Sequence, residues 1–112
     1  MTNSELDALI AERVMHFKTD PEYSELWLAD GGMVYPKEDF RPSTDMRYAM
    51  MVVQDLLAMG VGDFSLEYFK EEGWPDWSAI FGTLGYRHAD TPELAICKAA
   101  LAAKGVRLDD AK

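Results

Sequence analysis

Apolar residues recur at helical spacing in three stretches and alternate with polar ones in two, and that rhythm lays out the chain. In "SELDALIAERVMHF", Leu6, Leu9, Ile10, Val14 and Phe17 fall on one face while Glu12 and Arg13 fall on the other. Ser4 with Asp7 three residues later reads as an N-cap pair of the S-x-x-D kind. The helix stops around "KTDPEY", where Pro21 biases its predecessor out of the helical region. "STDMRYAMMVVQDLLAMG" repeats the period: Met46, Ala49, Met50, Val53, Leu56 and Leu57 form the predicted buried stripe, and Gly60 is a natural stop. "ADTPELAICKAALAAKG" is the third helix. Pro92 suits its first position with Thr91 as cap, or Asp90 caps and Glu93 closes the box. Leu94, Cys97 and Leu101 line one side, and Ile96 with several alanines another, which permits close packing against a sheet or a second copy.

Between these helices the period changes. "DFSLEYFK" and "DWSAIFGTL", joined by "EEGWP", alternate Phe64, Leu66 and Tyr68, then Trp77, Ala79 and Phe81, and read as an antiparallel pair. Apolar residues on the intervening positions imply that both faces are at least partly covered. "ELWLADGGMVYP" sets Trp27 and Leu28, then Met33, Val34 and Tyr35, about a "DGG" turn able to supply positive φ, a short hairpin or an ordered loop. The order helix, hairpin, helix, strand, strand, helix predicts an α+β sandwich on a small antiparallel sheet. One domain is expected over residues 1–108, with 109–112 as a loose tail.

Composition adds constraints. A chain of 112 residues that is 48% hydrophobic and 28% charged has the make-up of a globular domain. Its single cysteine, Cys97, precludes an intrachain disulfide and fits a reducing cytoplasm. "MTNSELDALI" lacks the features of a secretion signal, and no apolar run approaches the ~20 residues of a membrane helix. We therefore expect a soluble protein of the bacterial cytoplasm with no membrane partner. The net charge of −9 and the absence of a basic stripe argue against direct nucleic-acid binding, which draws its affinity from phosphate neutralisation.

Three segments, "ELDALIAERVM", "PSTDMRYAM" and "ADTPELAICKAAL", occur in that order and together resemble the phage ABA sandwich domain, a family of small proteins from tailed phages and prophages. The resemblance runs from about Glu5 to Leu101, and the alanine-rich last motif is its most specific part. Members often carry a tryptophan in the helix after "STD", where this chain has Arg47, Tyr48 and Met50. The resemblance implies a layered helix–sheet–helix fold and a phage-encoded origin. It implies no catalytic residues.

Metal and nucleophile signatures are weak. His16, His88 and Cys97 lack the spacing of zinc ligands, so neither a metal nor another cofactor is expected. Ser43, His88 and Asp90 supply the residue types of a hydrolytic triad but no local motif. The stronger candidates are two helix starts, whose outward amides attract anions. Arg41, Ser43, Thr44 and Arg47 surround the first, with Asp45 in competition. Arg87, His88 and Thr91 surround the second, with Asp90 in competition. Each start reads either as capping alone or as a phosphate site. Trp74 and Trp77, beside turns, could stack on a base.

The function class left standing is a non-enzymatic phage accessory protein. Its most concrete form binds and sequesters a phosphorylated, nucleotide-type signal of host defence. The alternatives are a protein-interaction module acting on a host or phage protein, and a phosphodiesterase-like enzyme without a visible catalytic pattern. Self-association into a homo-oligomer is expected, because so short a chain otherwise exposes much aromatic surface.

Overall fold

The first helix begins earlier than its Ser4–Asp7 pair predicts. In a computed structural model, which describes residues 2–71 and 74–106 (the backbone only at 69–71, 74 and 75), helix α1 spans Asn3–Leu9 and is capped by Thr2. Thr2 Oγ1 accepts from the Glu5 N–H at 3.1 Å, and the Glu5 carboxylate reaches back to the Thr2 N–H at 3.3 Å. That reciprocal box satisfies two donors that the first turn would otherwise leave open. Asp7 is thereby released from capping and lies buried.

Helix α1 continues as a π-helical turn, Ile10–Val14, and stops at His16. His16 takes φ 59° at the position after the cap where glycine is usual, and the Phe17 N–H bonds back to the Ala11 carbonyl at 2.8 Å, one residue farther than the bond of a Schellman stop, as the preceding wider π turn requires. The chain then forms a small antiparallel sheet of β1 (Lys18–Thr19), β2 (Leu26–Leu28) and β3 (Val34–Pro36). The predicted hairpin is present, with Trp27 opposite Tyr35 and a 3-10 turn at Asp30–Gly32 whose two glycines have φ near 80°. The strand β1 was not legible, because two exposed residues carry no periodicity. Phe17, Tyr35, Phe40 and Tyr48 pack together at ring separations of 5.2–6.3 Å and tie this sheet to the helices.

Helix α2 runs Met46–Ala58 with Asp45 as its cap. Its buried positions are Ala49, Val52, Val53 and Leu56, so the helix is rotated from the stripe the sequence predicts. Met50 and Leu57 are 37% and 44% exposed, and Val52 takes the inward place. The prediction failed there because "MMVV" offers four consecutive apolar residues and no periodicity to choose among them.

The second sheet holds β4 (Phe64–Glu71), β5 (Trp74–Phe81) and β6 (Arg87–Ala89), all antiparallel in that order. The predicted pair is in register from Phe64–Phe81 to Glu71–Trp74, and residues 72–73 of its turn lie outside the described residues. At the open end of this pair, opposite the turn, Gly62 and Gly82 lie back to back. A Cβ on Gly62 would come within 2.7 Å of the Gly82 Cα, so both positions require glycine. The third strand, β6, is an addition to the predicted pair.

Helix α3 (Pro92–Ala103) starts with Thr91 Oγ1 accepting from the Leu94 N–H at 3.2 Å and Pro92 in the first turn, the first of the two capping schemes. It packs on β5 and β6 as well as on α2 and the π turn, so Ala95, Ile96, Cys97, Ala99, Ala100 and Leu101 are all buried. The alanines let neighbours approach closely on more than one side. The architecture of the described residues is α+β, three α-helices with two small antiparallel sheets where a single sheet was expected. No helix among the described residues is long and apolar enough to cross a membrane. The expected tail at 109–112 lies outside the described residues.

Candidate functional site

At the start of α2 the anion-binding elements are present and already engaged. The Asp45 carboxylate caps the helix, taking the Arg47 N–H at 3.0 Å. It also receives the Arg47 guanidinium in a forked contact, Nε to Oδ1 at 3.2 Å and Nη2 to Oδ2 at 2.9 Å. This contact with Arg47 holds the Asp45 carboxyl below its usual range. Arg41 and Thr44 are exposed, whereas Ser43 is buried.

Ser43 serves a different purpose. Its N–H donates to the buried Asp7 carboxylate at 2.8 Å, across 36 residues of sequence, and locks α1 to the segment that precedes α2. Burial raises the Asp7 pKa, and the hydrogen bond from the Ser43 N–H and the charge of Arg41 oppose that rise. The Ser43 Oγ has no hydrogen-bond partner among the described residues. Cys97 is buried nearby, and its thiol is pushed far up by burial and then by the negative charges of Asp7 and Glu93. Buried in this way, the thiol packs as a small hydrophobic side chain.

At the start of α3, Thr91 is the cap and Arg87 and His88 stand on β6, both exposed. Arg87 Nη1 makes a 3.4 Å contact with the Tyr86 carbonyl and pairs with no carboxylate among the described residues. His88 sits opposite Ser78 in the ladder. Its Nδ1 lies 2.7 Å from Ser78 Oγ and 3.0 Å from Asp76 Oδ2. The residue types of a hydrolytic triad are therefore assembled, although not as Ser43–His88–Asp90.

The geometry of that cluster is not that of a triad. A histidine base takes the nucleophile's proton on one ring nitrogen while the carboxylate orients it from the other. Here serine and aspartate converge on the same nitrogen, and Ser78 is 1% exposed. The arrangement braces a strand edge. Asp76 and Ser78 had no sequence signal, since only the unforeseen strand β6 brings His88 opposite them. Trp77 is half-buried, pairs with Ala89 across the ladder and packs in a tilted arrangement against Tyr68, with ring centres 4.8 Å apart. The side chain of Trp74, the other proposed stacking residue, lies outside what is described. Among the described residues, no three His, Cys, Asp or Glu side chains are grouped to hold a metal ion.

The phage ABA sandwich domain model matches residues 8–101. The chain belongs to that family. As a phage ABA sandwich domain, it is similar to the crystal structure of a phage protein from Bacillus cereus ATCC 14579, with a TM-score of 0.66 over 96% of this chain and 92% of that one. At 21% identity the likeness shows a shared fold. No curated protein matches. The family match includes both helix starts and all of β4, β5 and β6, and it begins one residue after Asp7.

Proposed function

We propose that this domain is a non-enzymatic phage accessory protein of the host cytoplasm that acts by occupying another protein, through the outer face of α2. The observation that carries this reading is the exposure of Met50 and Leu57, seven residues apart on one side of the helix, with exposed Gln54 between them and Met59 beyond. Large apolar side chains aligned in solvent at helical spacing favour contact with an apolar surface, and methionine adapts to irregular ones. Photo-crosslinking from position 54 in phage-infected cells tests it. A discrete adduct with one phage or host protein is expected, and Met50→Glu with Leu57→Glu should abolish it. Failure to form any adduct, or an adduct indifferent to both substitutions, would refute the reading.

A second reading, sequestration of a nucleotide-type signal of host defence, has one specific support. Arg87 is a guanidinium free of any described carboxylate in a chain of net charge −9, on the strand that leads into α3 and on the sheet face that carries Ala79 and Trp77. The α2 start would have to break the Asp45–Arg47 pair first. Calorimetric titration of cyclic and ADP-ribose-type nucleotides tests this. Binding weakened roughly tenfold or more by Arg87→Ala, and less by Arg41→Ala or Arg47→Ala, is the expected pattern. No binding by any member of the panel removes the second reading and leaves the first.

A further inference from the structure

The outer edge of β4 is the longest strand edge in the chain that no other described strand covers. It spans eight residues, without proline, at the end of its sheet. The other edges are short: β1 has two residues, β6 has three, and β3 has three ending in Pro36. Proteins normally shorten or block such edges, because their open N–H and C=O groups are templates for another strand.

The groups on that edge can be identified. The Asp63 carbonyl accepts from the Gly82 N–H at 2.7 Å, continuing the register in which Phe64 faces Phe81. In an antiparallel ladder the bonded pairs alternate, so Ser65 and Glu67 also turn their backbone groups toward β5. Phe64, Leu66 and Tyr68 therefore turn theirs outward. Their side chains share the face of Phe81, Ala79 and Trp77. Tyr68 remains 46% exposed there.

We propose that β4 pairs antiparallel with β4 of a second copy, about a two-fold axis through Leu66, joining two sheets into one. A two-fold axis normal to the sheet keeps each face on its own side, so only certain residues can oppose one another, and charge then selects among the registers. An axis on Ser65 sets Asp63 against the partner's Glu67, and an axis on Glu67 sets that carboxylate against its own copy. An axis on Tyr68 leaves Phe64 with no residue of the partner's β4 opposite it, so the ladder is shorter. The axis on Leu66 sets Phe64 against the partner's Tyr68 and Leu66 against the partner's Leu66. On the polar face it sets Ser65 against the partner's Glu67. Both outward pairs are then able to exchange backbone hydrogen bonds, apolar side chains meet apolar ones, and no like charges oppose. The contact is self-complementary, as a two-fold interface requires.

The register is what the experiment interrogates. Sedimentation equilibrium of the full chain should show a monomer–dimer equilibrium. Ser65→Glu places a carboxylate against the partner's Glu67 twice and should weaken the dimer roughly 3–30-fold, while Ser65→Lys should tighten it over the same range. Tyr68→Pro removes an outward N–H without touching the bonds to β5 and should leave monomer. Far-UV circular dichroism checks that each variant is folded. If Ser65→Glu failed to fold, the Ser65→Lys and Tyr68→Pro results would still decide. A wild type that stays monomeric at every concentration overturns the proposal. So does a dimer that moves in the same direction, or not at all, with both charges, and so does one dissociated by Met50→Glu, which would move the interface to α2.

Discussion

Asp7 offers the sharpest test of how this fold is held, because one buried carboxylate bears both a cost and a bond. Its Oδ1 accepts the Ser43 N–H at 2.8 Å, and its surroundings raise its pKa above the ordinary 3.8. Asp7→Ala removes the acceptor and leaves the Ser43 N–H buried and unpaired, a loss of about 1–3 kcal/mol. Asp7→Asn keeps an amide oxygen in the acceptor position and removes the charge that burial disfavours. The neighbouring Ser43 Oγ, buried without a partner among the described residues, is the acceptor offered to its new N–H groups. At pH 7 the expected order of stability is Asn at or above wild type, and both above Ala. The gap between the Asn and Ala variants isolates the bond and corresponds to roughly 4–20 °C in melting temperature for a domain of this size.

The pH dependence has a definite sign. A carboxyl whose folded pKa is raised holds its proton more tightly in the folded chain. Its contribution to stability is fully present below the unfolded pKa, near 3.8, and is lost as pH rises through the higher folded value. Wild type should therefore gain on the Asn variant as pH falls through the acidic range. Urea unfolding of the three proteins at pH 7 and at several acidic values measures both effects. An Asn variant no more stable than the Ala variant at pH 7, or a wild-type–Asn difference that does not change with pH, would refute the reasoning.

Other expectations are briefer. His16→Gly should stabilise the fold by up to ~1 kcal/mol, since a left-handed non-glycine residue costs ~1–2 kcal/mol and glycine's extra chain entropy takes back part of the gain; a lower urea midpoint would count against this account of the α1 stop. Gly82→Ala should destabilise by at least ~1–2 kcal/mol from backbone conformation alone, with a 2.9 Å approach of the new Cβ to the Val61 carbonyl in addition, and a melting temperature equal to wild type would contradict it. Cys97 should react with a thiol dye only as the protein unfolds, because it is fully buried and its pKa is raised; labelling of the native protein at the rate of a free thiol would overturn that.

What the sequence conveyed follows from the range of the interactions concerned. Thr91 with Pro92, the "DGG" turn, Gly60 and the long β4–β5 pairing are decided within a few residues, and local pattern reads them correctly. The α1 cap is equally local, yet two overlapping signals competed, Thr2–Glu5 and Ser4–Asp7, and spacing alone does not rank them. Tertiary contact ranks them, because Asp7 is required 36 residues away at Ser43. The same contact removes Ser43 from the surface, where the pattern had placed it as a ligand donor. The strands β1 and β6 are too short to have a period, so the Asp76–Ser78–His88 cluster depended on a pairing that one sequence does not reveal.

The charge balance explains why the helix starts are poor places to look for a partner. The chain has 20 acidic residues against 11 basic ones, so carboxylates outnumber the cations an anionic ligand would need. At the start of α2, Asp45 takes the amide and the guanidinium together, so an incoming phosphate must compete with an anion tethered two residues away. That tether makes the competitor's effective concentration high, which no dilute ligand matches without further contacts. Apolar and backbone groups face no such competitor, because Met50 and Leu57 keep 37% and 44% of their surface in solvent and no described strand covers the outer edge of β4. Binding through those surfaces also changes predictably with salt. Screening reduces repulsion between two copies of net charge −9, so dimerisation through β4 should strengthen as ionic strength rises, whereas phosphate binding at Arg87 should weaken. A salt series on each equilibrium therefore separates the two modes. Dimerisation that falls steeply with salt would mean that paired charges, and not an open strand edge, hold the copies together.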